Sequence, residues 1–293
     1  MTASRRVART SWQKLGSTVV LVVSATLAVS QSKQISANEL MRRTVANELK
    51  AAAVPGHYMY RLRTESSGRS ETKTMIQTKD WLIGRLVGVD DKPLSPGRRR
   101  EEDQRLDRIL KDPKRLSDEQ RQQREYEKRV WDILKAFPDA FLYEYAETAR
   151  ASDGDKLVRL AFRPNPEFQT RSRELKALRG SKGNVWINST AQRIKGVDAT
   201  LFRPVDFGWG ILGRLNEGGR FGLEEVKTDS GTWTLKAVRL HFTGKMLLVK
   251  SLKIDSVMTM SDFRRMPENL TLTEGLEALR NQDQTMTQTA KSQ

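Results

Sequence analysis

Apolar and polar residues alternate along several short stretches of this chain, which is the pattern of half-buried β-strands. In HYMYRLRTE, residues 57–65, every second residue from Tyr58 to Leu62 is tyrosine or leucine. The segment KLVRLAFR, residues 156–163, alternates in the same way. Weaker runs follow the first strand, and further short strands recur through the second half of the chain. Serial strands of this kind predict an antiparallel meander.

Two longer segments are predicted to be β-hairpins. GNVWINSTAQRIKGVDATLF, residues 183–202, has turn residues near 189–192. GTWTLKAVRLHFTGKMLLVKSLKIDSVMTM, residues 231–260, is predicted to turn at 243–245, where a glycine separates two alternating arms. In its second arm every second residue is mostly apolar, so one face of that strand is predicted to be hydrophobic.

Helical periodicity marks three regions. Ser36-x-x-Glu39 is a capping box that opens a helix ending before Pro55. Residues 95–137 are a charged helical insertion, which begins at Ser95, is interrupted at Pro113, resumes from a cap at Ser117 and closes at Pro138. A short helix at 273–279 precedes a polar tail, 281–293, that is predicted to be disordered.

These elements predict an α+β fold. Its main part is a large curved antiparallel β-sheet, an unclosed half-barrel, with the N-terminal helix and the insertion 95–137 covering the concave face. No Pro- or Ser-rich linker divides the chain, so residues 31–280 are predicted to form a single domain.

The first 30 residues have the composition of a signal peptide. Four basic residues and no acidic residue precede an apolar run from about Val19 to Val29, and Ala28-Val29-Ser30 offers small residues for cleavage. An uncleaved anchor is the alternative. The chain has no cysteine, so it cannot carry a bacterial lipoprotein anchor. We therefore expect an exported, non-lipidated periplasmic or otherwise extracytoplasmic protein with no integral membrane span after cleavage; the general and twin-arginine export routes both stay open.

Charge and residue counts exclude several classes of function. The net charge of +16 favours an anionic partner. Export argues against nucleic acid, which leaves an anionic envelope surface such as phospholipid or lipopolysaccharide, or a basic surface with no dedicated partner. The absence of cysteine excludes thiol catalysis and Cys-based metal sites, and the two histidines stand far apart. No catalytic motif is present. The sequence thus predicts a non-enzyme without metal or cofactor.

The segment DFGWGILGRLNEGGRFG contains a literal G-x-G-x-x-G at Gly208, Gly210 and Gly213. A phosphate-binding version follows a buried strand and opens a helix. Here Pro204 precedes it and three more glycines follow, which disfavours a helix. We interpret it as a glycine-rich excursion between hairpins, whose apolar residues belong to the core or to the rim of a cavity.

A broad sheet with one apolar face can hold a hydrophobic ligand. The candidate groove residues are Trp186, Trp209, Ile211, Leu212, Phe242, Leu252, Ile254 and Met258, and for each of them simple core packing is the alternative. The order of elements and the motif at 183–188, GNVWIN, resemble the LolA-like superfamily, which includes periplasmic lipoprotein carriers and RseB-type regulators. That resemblance implies a half-barrel that holds acyl chains beneath a helical lid. The charged insertion 95–137 is absent from the compact carriers.

The leading hypothesis is an exported carrier or sensor that binds a lipid, an acyl chain or a lipoprotein anchor in an apolar groove. Its partners would be lipids or lipidated proteins. The alternative is a non-catalytic envelope interaction module with a filled core, whose basic surface binds an anionic membrane or a protein.

Overall fold

A computed structural model describes residues 35–53, 56–151, 154–170, 172–207, 213–246 and 250–291. The predicted signal peptide, 1–30, lies outside these ranges. None of the described helices is both long and apolar enough to span a membrane.

The described residues form five helices and thirteen strands. The helices are α1 (Ala37–Ala52), α2 (Pro96–Lys111), α3 (Pro113–Ala140), α4 (Arg173–Leu178) and α5 (Leu272–Lys291). The strands are β1 (Tyr58–Ser66), β2 (Arg69–Gln77), β3 (Leu82–Val89), β4 (Lys92–Pro93), β5 (Phe141–Arg150), β6 (Lys156–Pro164), β7 (Ser181–Asn188), β8 (Arg193–Leu201), β9 (Val205–Phe207), β10 (Gly213–Leu215), β11 (Arg220–Lys227), β12 (Trp233–Met246) and β13 (Lys250–Arg265).

All the strands join one antiparallel sheet. Its order is β4-β3-β2-β1-β13-β12-β11-β8-β7-β6-β5, and the β9–β10 hairpin is attached to β12. The sheet does not close into a barrel, because β4 and β5 are separate edges. The predicted α+β class with a large, unclosed antiparallel sheet is confirmed.

The register assigns each side chain to one of two faces, because neighbours paired across strands share a face. One face, which we call the front face, carries a row of apolar residues that crosses six strands: Leu160, Val185, Val197, Leu223, Val238 and Met258. The back face carries the alternate residues. In the β12–β13 hairpin this alternation separates an apolar front from a polar and charged back.

The larger core lies on the front face over β5–β8. There α1 contributes Leu40, Met41 and Val45, and the C-terminal part of α3 adds Ile133 and Phe137. Below them, Leu160, Val185 and Ile187 of the sheet are fully buried. Phe137, Phe141, Tyr143 and Phe162 form an aromatic group with centroid distances between 4.6 and 6.5 Å.

A second core lies on the back face over β1–β3. Ile76 and Ile83 of the sheet contact Leu106 of α2 and Leu276 of α5. The insertion therefore divides between the two faces and does not cover one face as expected. The reason is the part of β3 that the short strand β4 leaves unpaired, where Glu102 of α2 accepts a hydrogen bond from Leu86 N at 2.8 Å.

Polar contacts hold α2 and α5 to this edge. The guanidinium of Arg85, only 3% exposed, donates to the Leu279 carbonyl at 3.1 Å and to Asp103 at 2.9 Å. Arg280 of α5 also pairs with Asp107 of α2. The three elements are thus joined by buried and half-buried charges as well as by apolar contact.

Several helix boundaries differ from the expectation. Ser36 and Ser95 cap their helices as predicted, and the helical insertion breaks before Pro113. Ser117, however, lies inside α3, because Pro113 already occupies the first turn, where its missing N–H costs nothing. The helix also continues through Pro138 to Ala140.

Two side chains support that last turn of α3. Tyr143 Oη donates to the Phe137 carbonyl at 2.9 Å, and Asn165 donates to the Asp139 carbonyl from its side chain, also at 2.9 Å. Two carbonyls of the helix end, one on each side of the proline, are therefore satisfied by side chains.

Two further expectations are corrected by the structure. The residues predicted as a turn, 243–245, lie inside β12, because Gly244 allows the Arg214 backbone of β10 to approach where a Cβ would collide with its carbonyl. The helix α5 continues to Lys291, through the segment predicted to be a disordered tail; no proline or glycine interrupts that segment. The 183–202 hairpin has its turn where predicted.

Candidate functional site

Four of the eight candidate groove residues lie together on the front face of the β12–β13 hairpin. Phe242 pairs directly with Ile254, and Leu252 and Met258 flank this pair along β13. All four are half-buried. The alternation seen in the sequence thus places them in one continuous apolar strip.

The structure places none of the other four candidates in that strip. Trp209, Ile211 and Leu212 lie outside the described residues. Trp186 lies on the back face, since its neighbours Val185 and Ile187 point into the front core. Its ring is covered by the Arg159 guanidinium, 5.4 Å from the ring centroid. Trp186 therefore does not line the same groove as Phe242.

The apolar strip extends across neighbouring strands into what we call the open band. Its members are Phe221, Leu223, Leu240, Phe242, Leu252, Ile254, Met258, Met260, Leu62, Tyr60, Met75 and Leu86. Each is half-buried. Within the described ranges, no helix makes an extensive contact with β1, β11, β12 or β13, and of the band only Phe221 and Leu223 adjoin the core beneath α1 and α3. The band is thus a broad apolar surface without a helical cover.

The front of the β12–β13 hairpin carries no charge along most of its length, up to Lys250 at its end. From Val238 to Gly244 and from Leu252 to Met260, every front-face residue is apolar or serine. The back face of the same hairpin carries Arg239, His241 and Lys253. An uncharged face of this size is unusual for a surface that meets only water.

Aromatic residues close one end of the open band. Tyr60 stacks on Phe263 with ring centroids 5.5 Å apart, and Tyr58 meets Phe263 edge-on at 6.1 Å. Burial raises the pKa of Tyr60. Tyr58 shares a hydrogen bond with Ser230 at 2.9 Å, so its hydroxyl fixes this corner to the β11–β12 turn.

A buried charge cluster fixes α1 over the covered part of the front face. Glu48 of α1, 6% exposed, accepts hydrogen bonds from Arg193 Nε at 2.8 Å and from Ile194 N at 2.7 Å. Its second carboxylate oxygen, Oε2, lies 2.7 Å from Arg193 Nη2. The C-terminal half of α1 is therefore tied to the start of β8.

A second carboxylate adjoins this pair. Glu225 of β11 lies 3.9 Å from Arg193 Nη2, and its Oε2 accepts no hydrogen bond from the described residues. Burial raises the pKa of Glu225 to about 8, and the negative charge of Glu48 adds to this effect, while Arg193 and Lys195 oppose it. The cluster thus contains two acids and one shared guanidinium, which favours a proton on Glu225.

Two asparagines of α1 complete its attachment. Asn38 donates to the Phe141 carbonyl at 3.4 Å and accepts from Tyr143 N at 3.1 Å, so its side-chain amide pairs with two backbone groups of β5. Asn47 donates to the Gln192 carbonyl at 3.3 Å. The helix is therefore held by polar contacts at both ends and by apolar packing between them.

The back face has a hollow of about 350 Å³ over β7, β8, β11, β12 and β13. Its walls include Asp198, Arg220, Arg239 and His241, and Gly222 leaves space between the rows. His241 Nδ1 lies 3.5 Å from Asp255. This hollow is unlike the predicted apolar groove, because charged side chains line it.

A second hollow, of about 540 Å³, lies between the C-terminal end of α1 and the middle of α3. Leu49 and Trp131 contribute its apolar part, and Arg124, Lys128 and Asp132 its charged part. Within the described residues, no cluster of three or more His, Asp or Glu side chains could hold a metal ion.

Sequence reasoning missed the Glu48–Arg193–Glu225 cluster. Glu48 and Arg193 are separated by 145 residues, so no local spacing connects them. One signal was present: Glu48 falls on the same helical face as Met41 and Val45, where a lone charge implies a buried partner.

No protein-family model matches the chain, and no curated protein sequence matches it. Solved structures are similar to it at low identity. One is the crystal structure of a DUF1329 family protein from Desulfovibrio piger, with 12% identity, a TM-score of 0.29, and coverage of 79% of this chain and 94% of that chain. Another is the crystal structure of MucB in complex with MucA(peri), with 10% identity, a TM-score of 0.22, and coverage of 79% and 100%. The chain is distantly similar to these two proteins.

Proposed function

We propose that this protein is an exported, non-catalytic carrier or sensor that binds a lipid, an acyl chain or a lipoprotein anchor on the open band. The observation that carries this proposal is the uncharged front face of β12 and β13 over residues 238–244 and 252–260, which no described helix covers. An acyl chain needs apolar surface and no specific polar partner, so such a face suits it.

The sequence supports this proposal in two ways. The N-terminal composition predicts export to a compartment bounded by membranes. The GNVWIN motif resembles the LolA-like superfamily, for which acyl chains on a half-barrel are the implied cargo. The cargo would lie along the front face, beside the region that α1 and α3 cover.

Titration with a dansyl-labelled undecanoic acid tests the proposal. Saturable binding with a blue-shifted emission is expected. Met258→Lys places a charge on the open band and should weaken binding by on the order of tenfold or more, because the ammonium must lose water to allow contact. Thr259→Lys is the matched control, because the next residue points to the back face; its affinity should stay within about twofold of the wild type.

Extraction of the purified protein with organic solvent, followed by mass spectrometry, identifies any lipid that copurifies. No lipid in the extract together with no saturable probe binding would rule the carrier function out. Equal loss of binding in both lysine variants would place the ligand elsewhere on the molecule.

A protein-interaction role is the second candidate, and it rests on α3. Tyr126 and Val130 are four residues apart on this helix and are 66% and 43% exposed. Adjacent exposed apolar side chains on a charged helix are typical of a binding surface for another protein. Pull-down with wild type and Tyr126→Lys tests it: a partner retained equally by both would contradict this role.

A further inference from the structure

The end of the β12–β13 hairpin carries a group of lysines without partners. Lys245, Lys250 and Lys253 are exposed, and within the described residues none of their side-chain ammonium groups forms a hydrogen bond or an ion pair. No acidic residue occurs between Lys236 and Lys253 in the sequence. This end of the sheet is therefore positive, with its charge available to a partner.

The lysines surround an exposed apolar side chain. Met246, 43% exposed, pairs across the hairpin with Lys250 on the front face. Lys245 and Lys253 lie on the back face, in adjacent rows of the same two strands. A surface that meets the hairpin end-on would contact lysines on both faces and the methionine between them.

Two acids near this end have basic partners. Asp206 of β9 lies 3.6 Å from Arg214 of β10, and Asp255 lies 3.5 Å from His241. The β9–β10 hairpin supports the end of β12, because Gly213 pairs with Met246 and Asn216 donates to Thr243 Oγ1 at 3.1 Å. The lysines thus project from a paired, three-stranded support.

We propose that this end of the sheet docks end-on onto a membrane surface that bears anionic headgroups. Lys245, Lys250 and Lys253 would contact the phosphate groups of the lipids, and Met246 would enter the interface between headgroups and acyl chains. Charge complementarity selects this occupant, since unpaired lysines beside an exposed apolar side chain match the charge and polarity of an anionic bilayer surface.

The docking end also leads into the open band. Phe242 and Leu252 lie directly behind Met246 on the front face. A chain leaving the bilayer at this end would pass Met246 and Lys250 and then meet only apolar side chains and a glycine in the next two rows. Transfer of a chain from the bilayer rests on the proposed carrier function, whereas docking does not. The two proposals can therefore fail separately, because vesicle binding requires no ligand on the open band and probe binding requires no membrane.

Cosedimentation of the full chain with vesicles tests the docking. The two vesicle types are phosphatidylcholine alone and phosphatidylcholine with phosphatidylglycerol in equal parts. The triple substitution Lys245→Gln, Lys250→Gln, Lys253→Gln should weaken binding to the anionic vesicles on the order of 100-fold, about fivefold for each lysine. Added salt should weaken the wild type more than this variant.

A charge-matched control separates docking from general attraction. Lys50, Lys92 and Lys156 are exposed and unpaired within the described residues but lie away from the hairpin end. Changing these three lysines to glutamine removes the same charge. If both triple variants lose affinity equally, or if the wild type does not distinguish the two vesicle types, the proposal is wrong.

A fluorescent label tests the contact of Met246 directly. The chain has no cysteine, so Met246→Cys gives a single attachment site for an environment-sensitive dye. Its emission should shift to the blue with anionic vesicles, whereas a dye on Tyr126→Cys, an exposed position on α3, should not shift. An unchanged emission at position 246, or an acidic protein that binds this end while vesicles do not, would overturn the proposal.

Discussion

Over β5–β8 the front-face side chains of Val185 and Ile187 are fully buried, whereas over β12–β13 those of Phe242, Ile254 and Met258 are only half-buried. The residue types are alike, and the two regions belong to one sheet with one register. What differs is the presence of α1 and α3. Burial along this face is thus decided by where the helices are attached.

The attachment of α1 is polar as well as apolar. Glu48 and Asn47 bind the start of β8, and Asn38 binds β5. β11 lies next to the covered part of the sheet and meets the cluster through Glu225, whose Oε2 accepts no hydrogen bond from the described residues. The covered region therefore ends where these specific contacts end. Three pairs of substitutions test this comparison.

The largest effect is expected from Arg193→Met. Removing the guanidinium leaves the buried carboxylate of Glu48 without its cation, which typically costs about 3–5 kcal/mol of the free energy of unfolding. Urea unfolding followed by circular dichroism measures it. If α1 then detaches, the covered region becomes apolar surface, and binding of a hydrophobic dye should increase.

Arg43→Met is the control for that variant. Arg43 also pairs with a glutamate, Glu39 at 2.7 Å, but this pair lies on the exposed side of α1. Its loss should cost less than about 1 kcal/mol. Equal costs for the two arginines would show that burial of the Glu48 cluster does not hold the helix.

The second test applies one substitution to both regions. Ile187→Ala removes a fully buried side chain and should lower the free energy of unfolding by about 3 kcal/mol. Ile254→Ala removes a half-buried one and should cost about 1 kcal/mol, since part of its surface already contacts water. Urea unfolding midpoints at one pH give both values.

The same two variants also differ in ligand binding. Under the carrier proposal, Ile254→Ala weakens binding of the fluorescent acyl probe. Ile187→Ala leaves probe binding unchanged, provided that this variant remains folded. A cost at Ile254 as large as that at Ile187 would mean that the open band is a closed core.

Much of the fold follows from local pattern. The caps at Ser36 and Ser95 and the turn at 189–192 depend on residues close in sequence, and all three are present in the structure. The shared front face of Phe242, Leu252, Ile254 and Met258 follows from alternation alone. These are features in which neighbouring residues decide the conformation.

The rest depends on contacts between distant residues. Gly244 suggests a turn, yet it lies within β12, because the distant Arg214 backbone requires the space. Alternation puts Trp186 on the face opposite Val185 and Ile187. Only the structure shows that Val185 and Ile187 point into the front core, and therefore that Trp186 is on the back face. The division of the insertion between two faces depends on the edge of β3, which no local pattern reveals.

The smallest effect concerns the proton on Glu225, at the boundary of the covered region. In the unfolded chain a glutamate ionises near pH 4.3, but burial and the neighbouring Glu48 raise the pKa of the folded Glu225 to about 8. Between these values the native state binds more protons than the unfolded state. The contribution of this group to stability is therefore fully present below about pH 4.3 and is lost as the pH rises to about 8.

Glu225→Gln removes this dependence because the amide cannot ionise, so the variant should gain on the order of 1–2 kcal/mol over the wild type between pH 5 and pH 8. Glu224→Gln, at the neighbouring position paired with Lys236, is the control and should change the free energy of unfolding by less than about 1 kcal/mol at either pH. If Glu225→Gln and the wild type lose stability in parallel as the pH rises, Glu225 is ionised in the folded protein, and Arg193 then satisfies both carboxylates at the border between the covered and open regions.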